Sequence, residues 1–173
     1  MESVEVDETM LGRDPDSKGR DPGTKPIIQV AIEVDFEEKN GEIKQRIKRA
    51  RAKHIKDFSS ESLEEGIDEM VNKEALVTTD GWSGYPAATG DRWHLVFPSD
   101  DGDNFKKLHW FIFNLKNWIR GMHHKISSFH LQGYLDEFIY RFNRRNIVAS
   151  STVEVLQSMI LTPWLPYKQA VAL

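Results

Sequence analysis

Two aspartates and a histidine are the residues of this sequence whose types and spacing best suit catalysis. Asp7 lies in "VEVDET" (residues 4 to 9), and Asp80 in "TTDGWSGY" (residues 78 to 85). Val4 and Val6 alternate with Glu5 and Asp7, the period of a β-strand. Aspartate is disfavoured in strands, so Asp7 needs a reason to be there. Asp80 closes a second apolar run, and in open α/β sheets reactive groups gather in the crevice at strand ends. If the two strands are neighbours, their carboxylates meet. With a third ligand from a helix, such a pair holds two divalent cations. Those ions activate an attacking oxygen and stabilise a leaving oxygen in phosphodiester displacement. Each aspartate also has a plainer reading: Asp7 as a water-facing strand end, and Asp80 as the turn residue of Asp80-Gly81.

The third ligand is sought on a helix expected from Asn104 to Arg120, with Asp103 as its cap and Gly121 as its stop. Phe111, Leu115, Trp118 and Ile119 form its apolar stripe. His109, Lys116 and Arg120 lie together off that stripe, so His109 is placed to complete a site and Lys116 to hold a phosphate beside it. Asn114 lies near the stripe's edge. The ordinary alternative makes His109 a half-buried polar residue and Lys116 a snorkelling cation.

These residues need a scaffold, and the 173-residue chain is long enough for one domain with a real core. Its formal charge of −4 is unevenly spread. "KQRIKRARAKHIK" (44 to 56) is strongly basic, so a polyanionic partner is not excluded. Without cysteine, any metal must be held by Asp, Glu, Asn or His, which favours Mg2+ or Mn2+. The most apolar stretch, Leu108 to Ile119, is too interrupted to span a membrane. "MESVEVDE" carries no export signal, and a cytoplasmic location is expected.

A Gly-, Pro- and Asp-rich segment predicts a flexible loop over 12–26. "IIQVAIEVD" predicts a largely buried strand, and Asn40-Gly41 a hairpin to the next segment. That third segment also fits a helical spacing; the hairpin favours a strand. Ser59 or Ser60 caps a helix carrying Leu63, Ile67, Met70 and Val71. Strands at Ala75–Thr79 and His94–Phe97, the helix bearing His109, and a last helix over about Ser128–Asn143 complete the order. Residues 146–173 read as a C-terminal tail. Trp82 and Tyr85 either wedge against a base or, the favoured reading, pack beneath their loop. His123, His124 and His130 suit loop or capping roles better than a shared metal.

"VEVDET", "TTDGWSGY", "HWFIFNLKNWIRGMHHKISSFHLQGYLDEFIYRFNRRN" and "TPWLPY" together resemble the catalytic domain of bacterial insertion-sequence transposases of the ISXO-like group. These are DDE-type enzymes, related in chemistry to retroviral integrases. The resemblance covers nearly the whole chain. It implies an α/β, ribonuclease-H-like fold with a mixed five-stranded sheet flanked by helices. It also implies two Mg2+ or Mn2+ ions, with Asp7 and Asp80 as catalytic ligands. No glutamate occurs between Glu74 and Glu137 to serve as the third acid. Members with that glutamate carry a lysine seven residues later, and seven residues before Lys116 stands His109. Asn or His replaces the acid in some members, so His109 is the expected third ligand and Asn114 the runner-up.

The function expected is DNA cleavage and strand transfer in transposition. DNA is the expected partner and a homodimer on DNA the expected form, in the bacterial cytoplasm at the nucleoid. Phosphate contacts are expected from Arg46, Lys48, Arg49 and Arg51, from Lys116 and Arg120, and from Arg141, Arg144 and Arg145. Relatives usually carry an N-terminal zinc-ribbon or helix-turn-helix region, whereas this sequence starts a few residues ahead of Asp7. A single catalytic domain over 1–173 without that region is therefore expected. A truncated, inactive remnant that binds DNA or a full-length transposase is the chief alternative, and a stand-alone nuclease of the same fold another.

Overall fold

The computed structural model describes residues 3–12, 22–123, 126–146, 156–157 and 160–161. Most of the expected loop at 12–26, His124, and nearly all of the 146–173 tail with its "TPWLPY" lie outside these residues. Five strands form one mixed sheet in the order β3-β2-β1-β4-β5, flanked by helices as expected. β1 spans Ser3–Met10, β2 Ile27–Lys39, β3 Glu42–Ile55, β4 Leu76–Thr79 and β5 Trp93–Val96. The helices are α1 (Ser60–Met70), the single turn α2 (Tyr85–Ala88), α3 (Lys106–Met122) and α4 (Leu131–Asn143).

Alternation along β1 divides the molecule. Val4 and Val6 are fully buried with Leu63, Ile67 and Tyr85 on the face covered by α1 and α2. Glu5 and Asp7 consequently face α3. β2 contributes to both cores, Ile28, Val30 and Ile32 to one and Ile27 and Ala31 to the other. That two-sided burial explains its β-branched run.

The ambiguous third segment is a strand, paired antiparallel with β2 from Ile55 back to Glu42. Asn40 (φ 56°) and Gly41 (φ 78°) make the turn, with the positive φ pair that a tight hairpin needs. A bulge at Lys48 shifts the register between Glu33 and Val34, so Ile47 and Ala50 both reach the α3–α4 core.

α1 begins where the sequence places it. The Ser59 hydroxyl accepts from the Ser62 amide at 3.3 Å, and Asp57 accepts from the Ser59 amide at 3.0 Å and the Ser62 hydroxyl at 2.7 Å. These bonds, led by the Ser59 side chain, hold the Asp57 carboxyl down to about 2. A carboxyl depressed in the folded state stabilises above its unfolded value, near 4, and that contribution disappears as pH falls through 2. Asp57→Asn should therefore flatten the loss of thermal stability between pH 4 and pH 2, measured by circular dichroism against the native chain.

Two helix boundaries differ from expectation. Asp103 does not cap α3: residues Asp100–Phe105 form a 3-10 segment, α3 starts at Lys106, and Asp103 pairs with Lys106 at 3.0 Å. The tighter turn absorbs the approach to the helix and carries Asp103 past the capping position. Gly121 lies inside α3, which ends at Met122 because the His123 amide still bonds the Ile119 carbonyl. The last helix is shorter than expected, its first turn beginning at Leu131.

α4 also closes the outer border of β3. Asn143 accepts from the Ala50 amide at 2.8 Å and donates to the Ala50 carbonyl at 2.9 Å. Gln132 accepts from the His54 amide at 2.9 Å and donates to the Ala52 carbonyl at 3.2 Å, while Arg145 donates to Ile47 O. Side-chain amides thereby satisfy main-chain groups that an edge strand otherwise presents to solvent.

Candidate functional site

β1 and β4 run parallel and adjacent, with Ser3 beside Leu76, Val4 beside Val77 and Glu5 beside Thr78. Continued two residues, this register sets Asp7 abreast of Asp80. Asp80 follows directly on the last residue of β4, and both aspartates act on the buried Tyr85 phenol. Asp80 Oδ1 accepts from the Trp82 amide at 3.0 Å, so the turn role foreseen for it is also real. Thr79, the last residue of β4, is tied to His94 Nε2 of β5 at 2.8 Å, which fixes the strand end that carries Asp80.

α3 crosses this end of the sheet and brings His109 Nε2 to 3.5 Å from Asp7 Oδ2. Glu5, one step back on the same face, is 7 % exposed and accepts from Gln45 Nε2 at 2.6 Å. Burial raises the Glu5 pKa, against the opposing pull of Gln45 and of His109. Lys116, two turns along α3, is half-buried. Its pKa is lowered by burial and by Arg120 and Lys25, against the attraction of Asp7. Asn114 turns away, donating to the Trp110 carbonyl at 2.7 Å. His109, Lys116 and Asp7 are thus brought together, and Asn114 is not.

Sequence reasoning missed Glu8 and Lys25 in this neighbourhood, and foresaw Tyr85 as a packing residue but not its bond to Glu8. Tyr85 is fully buried and donates to Glu8 Oε2. Its pKa is raised well above 10 by burial, the charges of Glu8, Asp7 and Asp80, and its bond to Glu8. One neutral phenol therefore lies within the field of three carboxylates, including both candidate aspartates. With no exposed face, Tyr85 is a packing residue and not a wedge for a base; Trp82 packs against the same core. Lys25 arrives because Leu11 bonds the Pro26 carbonyl at 3.0 Å, which brings the start of β2 beside the end of β1. Together with Glu8, Thr9 and Lys116, Lys25 lines a cleft of about 310 Å³. The adjacency Asp7-Glu8 and the antiparallel return of the chain were the available signals.

The donor set of two carboxylates and an imidazole suits Mn2+ or Mg2+ in chemistry. Among the described residues no three His, Asp or Glu side chains converge tightly enough to hold an ion as they stand.

The two basic groups meet. Arg49 and Arg51 from β3 and Arg144, just past the end of α4, line one cleft of about 610 Å³, and Arg46 and Arg145 share another. Arg120 lies beside Lys116, whose pKa it lowers. Lys48, at the bulge, faces Glu33 at 3.8 Å. Arg141 is held by Glu137 at 2.8 Å on an exposed surface and lines neither cleft. His123 stacks on Tyr134 with ring centres 3.7 Å apart, and His130 stands at the N-terminal boundary of α4 without a side-chain capping bond.

A family model for the ISXO2-like transposase domain matches residues 1–143. The chain belongs to that family. No curated protein and no solved structure matches the chain. Membership makes this a transposase domain, and the matched span contains the whole sheet, α3 and α4. No helix among the described residues of the domain is long and apolar enough to cross a membrane.

Proposed function

We propose that this transposase domain cleaves and joins DNA phosphodiesters with two divalent cations, Asp7 and Asp80 being the anionic ligands and His109 the third. The observation that supports this reading is the parallel β1–β4 register, whose continuation past Glu5 and Thr78 leads to Asp7 and Asp80, with the α3 residue His109 at 3.5 Å from Asp7. When bound, the ions supply Lewis-acid polarisation of the phosphoryl oxygens. The chain's own part is to position and to neutralise charge. Lys116 and Arg120, with Lys25 beside them, hold the phosphate next to Asp7. Tyr85 keeps Glu8 fixed as a bonded acceptor, so that the end of β1 stays ordered between the two aspartates. Arg46, Lys48, Arg49, Arg51, Arg144 and Arg145 bind the backbone of the duplex without reading its sequence, and Arg141 adds charge at the rim. The functional form is a homodimer on DNA, at the bacterial nucleoid.

A second reading is an inactive relative that binds DNA or an active transposase as a non-catalytic partner. It draws support from His109, a neutral ligand where most two-metal sites use a third acid, and from the looseness of the donor set. Incubation with DNA carrying the ends of a mobile element decides between the two. Cleaved and joined products that appear with Mg2+ or Mn2+ and vanish with chelator support catalysis. DNA binding without any product supports the second reading, and metal-independent cleavage overturns the first.

A further inference from the structure

Between β3, the start of α3 and the end of α4 lies an open cleft of about 500 Å³, lined by Gln45, Arg46, Lys106, Lys107, Trp110 and Arg145. Its walls are cationic on both sides. Arg46 lies close enough to Arg145 to lower the pKa of that guanidinium, after the larger effect of burial. The acids nearby are weakly engaged. Glu37 meets Arg46 at 3.4 Å and Asp103 meets Lys106 at 3.0 Å, both as solvent-exposed pairs of little net strength. No acid pairs with Lys107 among the described residues.

The floor differs in kind. Trp110 is 54 % exposed although it sits in the most apolar stretch of the chain, and Phe142 lies beside it with the Arg145 guanidinium over its ring at 3.9 Å. A concave aromatic surface ringed by cations is the chemistry that receives an unstacked base together with its phosphates. A duplex can lay its outer backbone on the rim cations, but its stacked bases keep their faces covered and leave the aromatic floor unused.

The position is informative as well. Gln45, in the cleft wall, donates to Glu5, which shares the sheet face of Asp7; Trp110 directly follows His109. We propose that this cleft takes one or two unpaired nucleotides of DNA next to the scissile phosphate, the base stacking on Trp110 and the phosphates resting on Arg46, Lys106, Lys107 and Arg145. The inference rests on the DNA-processing reading above, but its test needs no catalysis.

Binding is measured by fluorescence anisotropy in chelator, with a blunt duplex and with the same duplex bearing a short single-stranded extension. The extension should tighten binding by about tenfold, since stacking on an aromatic side chain is worth that much per base. Trp110→Ala should remove this gain and leave blunt-duplex binding unchanged, whereas Trp110→Phe should retain most of it. Because Trp110 is largely exposed, neither change hollows the core. Lys107→Gln should weaken both complexes and reduce the salt slope by about 1. Blunt binding with no gain from the extension, or a gain that survives Trp110→Ala, overturns the assignment alone. Failure to bind either DNA overturns it together with the transposition reading.

Discussion

Asp7→Asn should lower the rate of metal-dependent DNA cleavage by about a thousandfold or more. Lewis-acid stabilisation of a phosphoryl transition state is worth several kcal/mol, and each 1.4 kcal/mol is a factor of ten. Asparagine keeps the volume of Asp7 and its acceptor oxygen for the Glu8 amide, now at 2.8 Å, but removes the charge a hard cation requires. The fold should survive, so the loss reports chemistry. Asp80→Asn should behave alike, retaining the acceptor that holds the Trp82 amide. The double variant should be little worse than either single one, because ligands of one site act as a unit. Single-turnover kinetics with Mn2+ on a supplied DNA end would check this; a variant within tenfold of the native rate would remove Asp7 from the site. Titration calorimetry of His109→Ala with Mn2+ tests the third position, and an unchanged affinity there would reject it.

Phe111→Ala should cost about 3–5 kcal/mol of stability, the usual range for emptying a fully buried aromatic site. Phe111 is fully buried at the centre of the α3–α4 core, with Phe142 at 4.7 Å and Phe138 at 5.6 Å, both edge-on. Removing it takes away a filled volume and two ring contacts at once. For a chain of this size the melting temperature should fall by roughly 10 °C, with an unchanged urea m-value. A loss under about 1 kcal/mol would mean that α4 is not held through this cluster. Phe142→Ala combined with Phe111→Ala should cost less than the sum of the two, since the rings share a contact.

The parts of the fold written in adjacent residues were readable before any coordinates. Asn40-Gly41 announced the β2–β3 hairpin, alternation around Asp7 announced a strand, and Ser59 or Ser60 marked the start of α1, of which Ser59 is the cap. Spacing also grouped His109, Lys116 and Arg120 on one side of their helix; Arg120 does act on Lys116, and His109 and Lys116 each interact with Asp7. What stayed hidden depends on partners distant along the chain. Tyr85 meets Glu8 across 77 positions, Gln45 meets Glu5 across 40, and Asn143 meets Ala50 across 93. No local pattern encodes such meetings, which arise only when the strands take the order β3-β2-β1-β4-β5. The shift in the start of α3 is different in origin. Asp103 had the right chemistry for a cap, but the 3-10 segment moved the helix beyond its reach.

The amides of Gln132 and Asn143 leave the sheet with unequal borders. Over Ile47–His54 the β3 side is hemmed by side chains of α4, while β5 presents Trp93, Leu95 and Val96 to water beside a raw main chain. Among the described residues β5 is thus the more open border for crowded copies that join strand to strand. A pair joined through β5 would carry on each far side, along Ile47–His54, a border already stitched by α4.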